Sequence, residues 1–183
     1  MKIFQLAIIV ALLLTSCTTQ KRVSTIVGGD YNKQKDVTEY FVFPFGSTAL
    51  PGKWEKEDYD SGSKQQFFKN DEKISIAIAF MPIGNFEFNT DKSKTGYEFV
   101  KAYNQWESEY YSKKYKFNVE ILETDENRHF IISRFYGEAE NIEYDTYFLF
   151  GEKNENASNF SISVTDKWTK EQKIATLKAM FNR

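Results

Sequence analysis

This chain of 183 residues has one cysteine, Cys17, three positions behind an unbroken apolar run from Leu6 to Leu14. With no second cysteine, no disulfide can close within the chain. Whatever follows residue 17 must therefore be held together by packing. The run is far shorter than the roughly 20 residues that cross a bilayer as a helix. Lys2 precedes it and the small residues Thr15 and Ser16 follow it. These are the charged, apolar and cleavage regions of an export signal.

Leu14-Thr15-Ser16-Cys17 resembles the lipobox of bacterial lipoproteins. The resemblance implies cleavage between Ser16 and Cys17 and a diacylglyceryl group on the Cys17 sulfur. It makes residues 1–16 the signal peptide and Cys17 the first residue of the mature chain. Two or more acyl chains give stable anchoring, each buried methylene contributing about 0.8 kcal/mol. Thr18 is not the aspartate that favours inner-membrane retention in enterobacterial lipoproteins, and no acid-rich stretch follows Cys17. The expected location is the bacterial cell envelope, on the outer membrane facing the periplasm.

Removal of residues 1–16 takes away Lys2 alone among the charged residues. That leaves 23 basic against 26 acidic side chains, a net charge of −3 over 167 residues. Nucleic-acid recognition needs a basic face, so no nucleic-acid partner is expected. The length suits one domain. Aromatic residues make up 17% of the chain, and each one buried removes about 150–250 Å² from water. A core without disulfides is therefore within reach.

Residues 17–38 are largely polar around Gly28-Gly29 and read as the lipidated cysteine and a flexible tether. About 20 such residues reach roughly 25 Å. Val23 to Val27 can add a short strand there. Residues 39–183 read as a single α+β domain. The run Tyr40 to Phe45 is a strand that Pro44 ends or places at an edge. Trp54–Tyr59 and Gln65–Lys69 flank Ser61-Gly62 as a hairpin. Ile74 to Phe80 alternates large and small side chains and is the clearest strand. Its face of Ser75, Ala77 and Ala79 invites close approach of a helix.

Thr95 and Glu98 have capping-box spacing. Phe99, Tyr103, Trp106 and Tyr110 follow as one helical stripe from Gly96 to about Lys114. Strands are expected at 119–124, 129–136, 142–150 and 160–166. A second capping box at Thr169–Gln172 opens a closing helix with Ile174, Leu177 and Phe181 on its apolar side. Short polar turns between neighbouring strands imply antiparallel pairing. The expected fold is α+β: an antiparallel β-sheet of about six to seven strands with two amphipathic helices packed on it.

This element order, with Pro51-Gly52-Lys53-Trp54 before the first hairpin and Asp166-Lys167-Trp168 before the last helix, resembles the PsbP-like fold over residues 40–183. That family holds lumenal photosystem II accessory proteins and bacterial lipoproteins. The resemblance implies a protein that docks to or assists an envelope complex. It carries no binding residue onto this chain.

Residues capable of chemistry are few. His129 is the only histidine, so a histidine-based nucleophilic site would need it, and zinc sites draw several His or Cys ligands. No catalytic residue, metal site or cofactor is assigned. Glu143 and Asp145 share a strand face and are candidates for acid–base work or cation binding beside Ser161, Ser163 and Thr165. A solvated strand face explains the same pattern. Phe86 and Phe88, in the long connection from Pro82 to Lys94, are the candidate contacts for a partner or ligand, because loops on rigid scaffolds carry binding function. The alternative is that both rings pack beneath the loop. Gly28-Gly29 lacks the rest of a phosphate-binding pattern.

The expected function is a membrane-anchored, non-enzymatic binding or accessory module for an envelope protein complex or a small ligand. A carboxylate-dependent hydrolase and a carrier of an apolar ligand are the alternatives.

Overall fold

The computed structural model describes residues 24–182. Among the described residues eleven strands and two α-helices follow one another, and seven of the strands form one antiparallel sheet in the order β5-β6-β7-β11-β10-β9-β8. These are β5 (Glu55–Asp60), β6 (Gln65–Lys69), β7 (Ser75–Pro82), β8 (Asn118–Asp125), β9 (Phe130–Ala139), β10 (Ile142–Lys153) and β11 (Asn156–Ile162). Helix α1 (Gly96–Tyr115) joins β7 to β8, and helix α2 (Lys170–Phe181) closes the chain. The α+β class with two helices on an antiparallel sheet is the observed class. No described helix is long and apolar enough to cross a membrane.

Two features of the strands correct the sequence reading. The N-terminal strands do not join the main sheet. β1 (Ile26–Gly28), β2 (Tyr31–Asn32), β3 (Val37–Phe43) and β4 (Gly46–Pro51) form a separate four-stranded sheet. The tether expected to run to residue 38 is accordingly structured from Ile26 on. Ile26 to Gly28 pair with Phe43 to Phe41, and Tyr31 pairs with Thr38. Gly29 makes this return possible. Its φ of +130° suits glycine, and a Cβ there would overlap the Glu39 carbonyl. The second correction concerns β11, which spans Asn156–Ile162 rather than 160–166. The turn at Asn154 and Glu155, both at positive φ, sets the hairpin register at Lys153↔Asn156.

Alternation along the strands splits the core into two clusters, one on each face of the large sheet. On one face Ile76, Ile78, Phe80, Phe160 and Leu149 pack against Tyr40 and Leu50 of the small sheet and Leu177, Met180 and Phe181 of α2. The small sheet is fastened there by the Thr48 hydroxyl, which donates to the Met180 carbonyl at 2.7 Å in a buried position. Gly151 lets α2 settle, because a Cβ would overlap the Phe181 ring. The expected capping box of α2 forms: Thr169 accepts from the Gln172 amide and Gln172 accepts from the Thr169 amide.

On the opposite face Phe99, Val100 and Tyr103 of α1 pack on Ile131, Phe135, Phe148 and Phe150. The capping box expected at Thr95 is absent, since that side chain makes no cap bond. Glu98 pairs with Lys101 at 2.6 Å instead. Helix α1 crosses β9 and β10. It does not settle over the small-residue side of β7 as the sequence suggested. Ala77, Ala79 and Met81 are in register with Ser161, Asn159 and Ala157 of β11. Beside that end of the sheet a groove remains.

Candidate functional site: an aromatic groove beside α1

The α1 stripe is buried only in its first half. Phe99 and Tyr103 are buried, Trp106 is half-buried and Tyr110 is 44% exposed. The reason is geometric. A helix of 20 residues is about 30 Å long. Its C-terminal half still packs Tyr111 on Phe135 and Phe148 of the sheet, while Tyr110 on the same stripe turns outward. Trp106, Tyr110, Tyr111 and Tyr115 line an open cavity of about 990 Å³ together with Tyr103. The tip of the β5–β6 hairpin forms the facing wall through Asp60, Ser63, Lys64 and Gln65. Met81, Phe148 and Asn159 of the sheet also contribute, and Asn85, Phe86 and Glu87 close one end.

Most polar groups of the groove are already committed. The Asn159 amide donates to the Tyr103 hydroxyl at 3.0 Å. The Trp106 indole N–H donates to Glu87 Oε1 at 2.7 Å. Asp60 Oδ1 accepts from the Gly62 amide at 2.7 Å. At the far end the Lys114 ammonium donates to the Tyr110 hydroxyl at 2.6 Å and stands 5.0 and 4.9 Å from the Tyr110 and Tyr115 ring centres.

Glu107 is the exception. It lies in the groove on the same helical side as Tyr103 and Tyr111. Burial alone pushes its carboxyl up from the ordinary 4.5 to about 7, and no described cation offsets that cost. Tyr103 and Tyr111 are themselves held far above the usual tyrosine range, by burial first and by the nearby Glu107 charge among other causes. This carboxyl, near the buried Tyr103 and the half-buried Tyr111 and with access to an open groove, is the most perturbed carboxyl among the described residues.

The residues singled out from sequence fall in different places. Phe86 is 6% exposed and its ring centre lies 4.5 Å from that of Tyr103. Phe88 is half-buried, 5.6 Å from Phe99. Both rings thus pack beneath their connection, which forms two short 3-10 turns. Phe86 still reaches the groove from that position. The connection is held by Asn89, fully buried, whose amide donates to the Ile83 and Lys94 carbonyls and whose Oδ1 accepts from the Lys94 amide.

Glu143 and Asp145 do not share a pocket. Asp145 is ion-paired to Arg134 at 2.6 Å. Glu143 is exposed, opposite Glu138 on β9. The serines expected beside them lie further along, because Ser161 is in register with Phe148 and β11 ends at Ile162. His129 lies 3.2 Å from the buried Glu152, beside Gly96 at the start of α1, and is not among the groove-lining residues. Ser16 and Cys17 lie outside the described residues.

Sequence reading passed over Glu107. A signal was present: Tyr103, Glu107 and Tyr111 recur at four-residue spacing, so one acid sits between two tyrosines on a single helical face.

No protein-family model and no curated protein matches the chain. Solved structures that are similar to it include the cyanobacterial PsbP (CyanoP) of Synechocystis sp. PCC 6803. There the identity is 11%, the TM-score is 0.41, and the match covers 93% of this chain and 94% of that one. A protein from Bacteroides thetaiotaomicron VPI-5482 matches with 12% identity and a TM-score of 0.43 over 73% of this chain. This chain spans 43% of that protein's length.

Proposed function

We propose that this chain is a lipid-anchored envelope protein whose α+β domain is a non-enzymatic binding module, with its ligand held in the groove between α1 and the β5–β6 hairpin. The observation that carries the binding role is the open groove that the second half of α1 lines with Trp106, Tyr110, Tyr111 and Tyr115. Aromatic rings backed by a rigid sheet supply contact area at low entropic cost. Leu14 to Cys17 carry the anchoring.

The small sheet supports a membrane-proximal orientation. β1 starts nine residues after Cys17, and Ile26 (59% exposed) lies beside Phe43 (61% exposed) on its outer side. Apolar side chains so placed suit the headgroup boundary of the membrane to which the lipid would hold the chain.

A second reading follows from Glu107. A carboxyl that titrates near neutrality has the protonation behaviour of a general acid or base. Hydrolysis of most glycosidic bonds needs two carboxyls. Here the other two, Asp60 and Glu87, are tied to Gly62 and Trp106. Binding is therefore the better supported role.

A photo-reactive phenylalanine analogue at Tyr110 tests the groove in living cells. We expect a reproducible mass addition at Tyr110 and none from the same probe at exposed Ile142, which is outside the groove. Equal labelling at both positions would remove the groove from the account. The anchor has its own test: Cys17→Ser should abolish palmitate incorporation and release the protein from the membrane fraction.

A further inference from the structure

The open question at this groove is what its ligand carries toward Glu107. Three observations bear on it. First, Glu107 shares the groove lining with Tyr103, Trp106 and Tyr111, and its charge acts on both tyrosines. Such rings present electron-rich faces that attract cations within about 6 Å. Second, the charged residues of the lining are Asp60, Glu87 and Glu107 against Lys64, with Lys114 at the far end over Tyr110 and Tyr115. Third, the same row of rings already holds a cation at its other end, where Lys114 stands over Tyr110 and Tyr115. Among the described residues no cation plays that part at the Glu107 end. An anion there would meet an uncompensated carboxylate. A purely apolar ligand would strip water from Glu107 and return no partner.

Resting on the groove being the ligand site, we infer that its ligand is a small organic cation, an ammonium group on an apolar body, with the ammonium against Glu107 and the rings of Tyr103, Trp106 and Tyr111. A volume of about 990 Å³ lies at the upper end of small-molecule sites, so the apolar body has room along Phe86 and Met81. Binding should tighten as pH rises through neutrality, because the ligand selects ionised Glu107. The groups that face or charge the same groove are Tyr103, Tyr110, Tyr111, Tyr115 and Lys114 on α1, Asp60 and Lys64 on the hairpin, and Glu87. The Gly62 amide and Ser63 hold Asp60 below its ordinary range, hydrogen bonds to Tyr110 and Tyr115 hold Lys114 above its own, and burial moves Tyr103 and Tyr111 higher.

The probe is benzyltrimethylammonium, compared with its uncharged carbon isostere neopentylbenzene in the same low fraction of cosolvent. Binding to the full chain is followed by the NMR signal of the Trp106 indole N–H. We expect saturable shifts with the cation at pH 8. Binding of the isostere, and binding of the cation to Glu107→Gln, should each be weaker on the order of tenfold. Equal affinity for cation and isostere, or an unchanged Glu107→Gln, would overturn the charge inference and leave the groove as a ligand site. No shift with either compound would overturn both.

Discussion

Phe99→Ala should destabilise the protein by about 3–5 kcal/mol, the range for removing a fully buried phenylalanine, whereas Tyr110→Ala on the same helix should cost less than about 1 kcal/mol. Phe99 is 0% exposed and packs on Tyr103, Phe86 and Phe88 with ring centres 5.3 to 5.8 Å apart. Its removal leaves a cavity that the β9 and β10 side chains cannot fill without leaving their own register. Tyr110 is 44% exposed, and its truncation uncovers little that is not already wet. The contrast matters more than either value. One periodic stripe, uniform in the sequence, is divided into a half that holds the fold and a half that is available to a ligand. Paired urea titrations measure both. Comparable losses at the two positions would mean that the groove is closed in solution.

The second large effect is a change of stability with pH at Glu107. Its carboxyl is raised from 4.5 to about 7 in the folded protein by burial. Folding therefore favours the protonated form. This contribution is complete below pH 4.5 and is lost as pH rises through 7. Glu107→Gln cannot ionise and keeps it. The variant should match the parent near pH 4 and exceed it by about 2–3 kcal/mol at pH 8, after allowance for partial exposure of the side chain. Other titrating groups are common to both proteins and largely cancel in the difference. Thermal unfolding of the pair across this range reads the effect directly. Identical curves would show that Glu107 is solvated in the native state. A protein that keeps such a carboxyl at some cost to its own stability has a feature of the kind found at functional sites.

Much of the architecture can be read from the residues. Turn chemistry around Ser61-Gly62 marks the β5–β6 hairpin, and Ile74 to Phe80 announces β7 by alternation. Aromatic spacing in α1 and the Thr169–Gln172 cap announce the two helices. What periodicity cannot convey is which elements share a sheet. Tyr40 reads as a strand residue and Leu50 does not, and their joint packing across Phe80 and α2 creates a second sheet rather than an extension of the first.

The strand β11 slipped because Phe160, Ile162 and Val164 alternate beyond the true end of the strand. Val164 is 53% exposed, so its apolar character has no burial behind it. Glu143 and Asp145 looked equivalent along the chain. They are separated by the position of Arg134 on the neighbouring strand, which only the register reveals. The groove was hidden for a similar reason. Spacing shows the stripe but not which of its rings the sheet covers, and nothing in composition separates Glu107 from the many other acids of the chain.

The central claim is that the groove lined by the second half of α1 is an occupied ligand site. It is tested most directly by native mass spectrometry of the full chain purified from its own envelope, beside a Ser63→Trp variant. Ser63 is exposed at the groove wall, so a bulky ring there fills the cavity without touching the core. The account predicts a reproducible bound mass on the parent that is missing from the variant, at unchanged melting temperature. A parent that carries nothing, or a bound mass retained equally by Ser63→Trp, would contradict it.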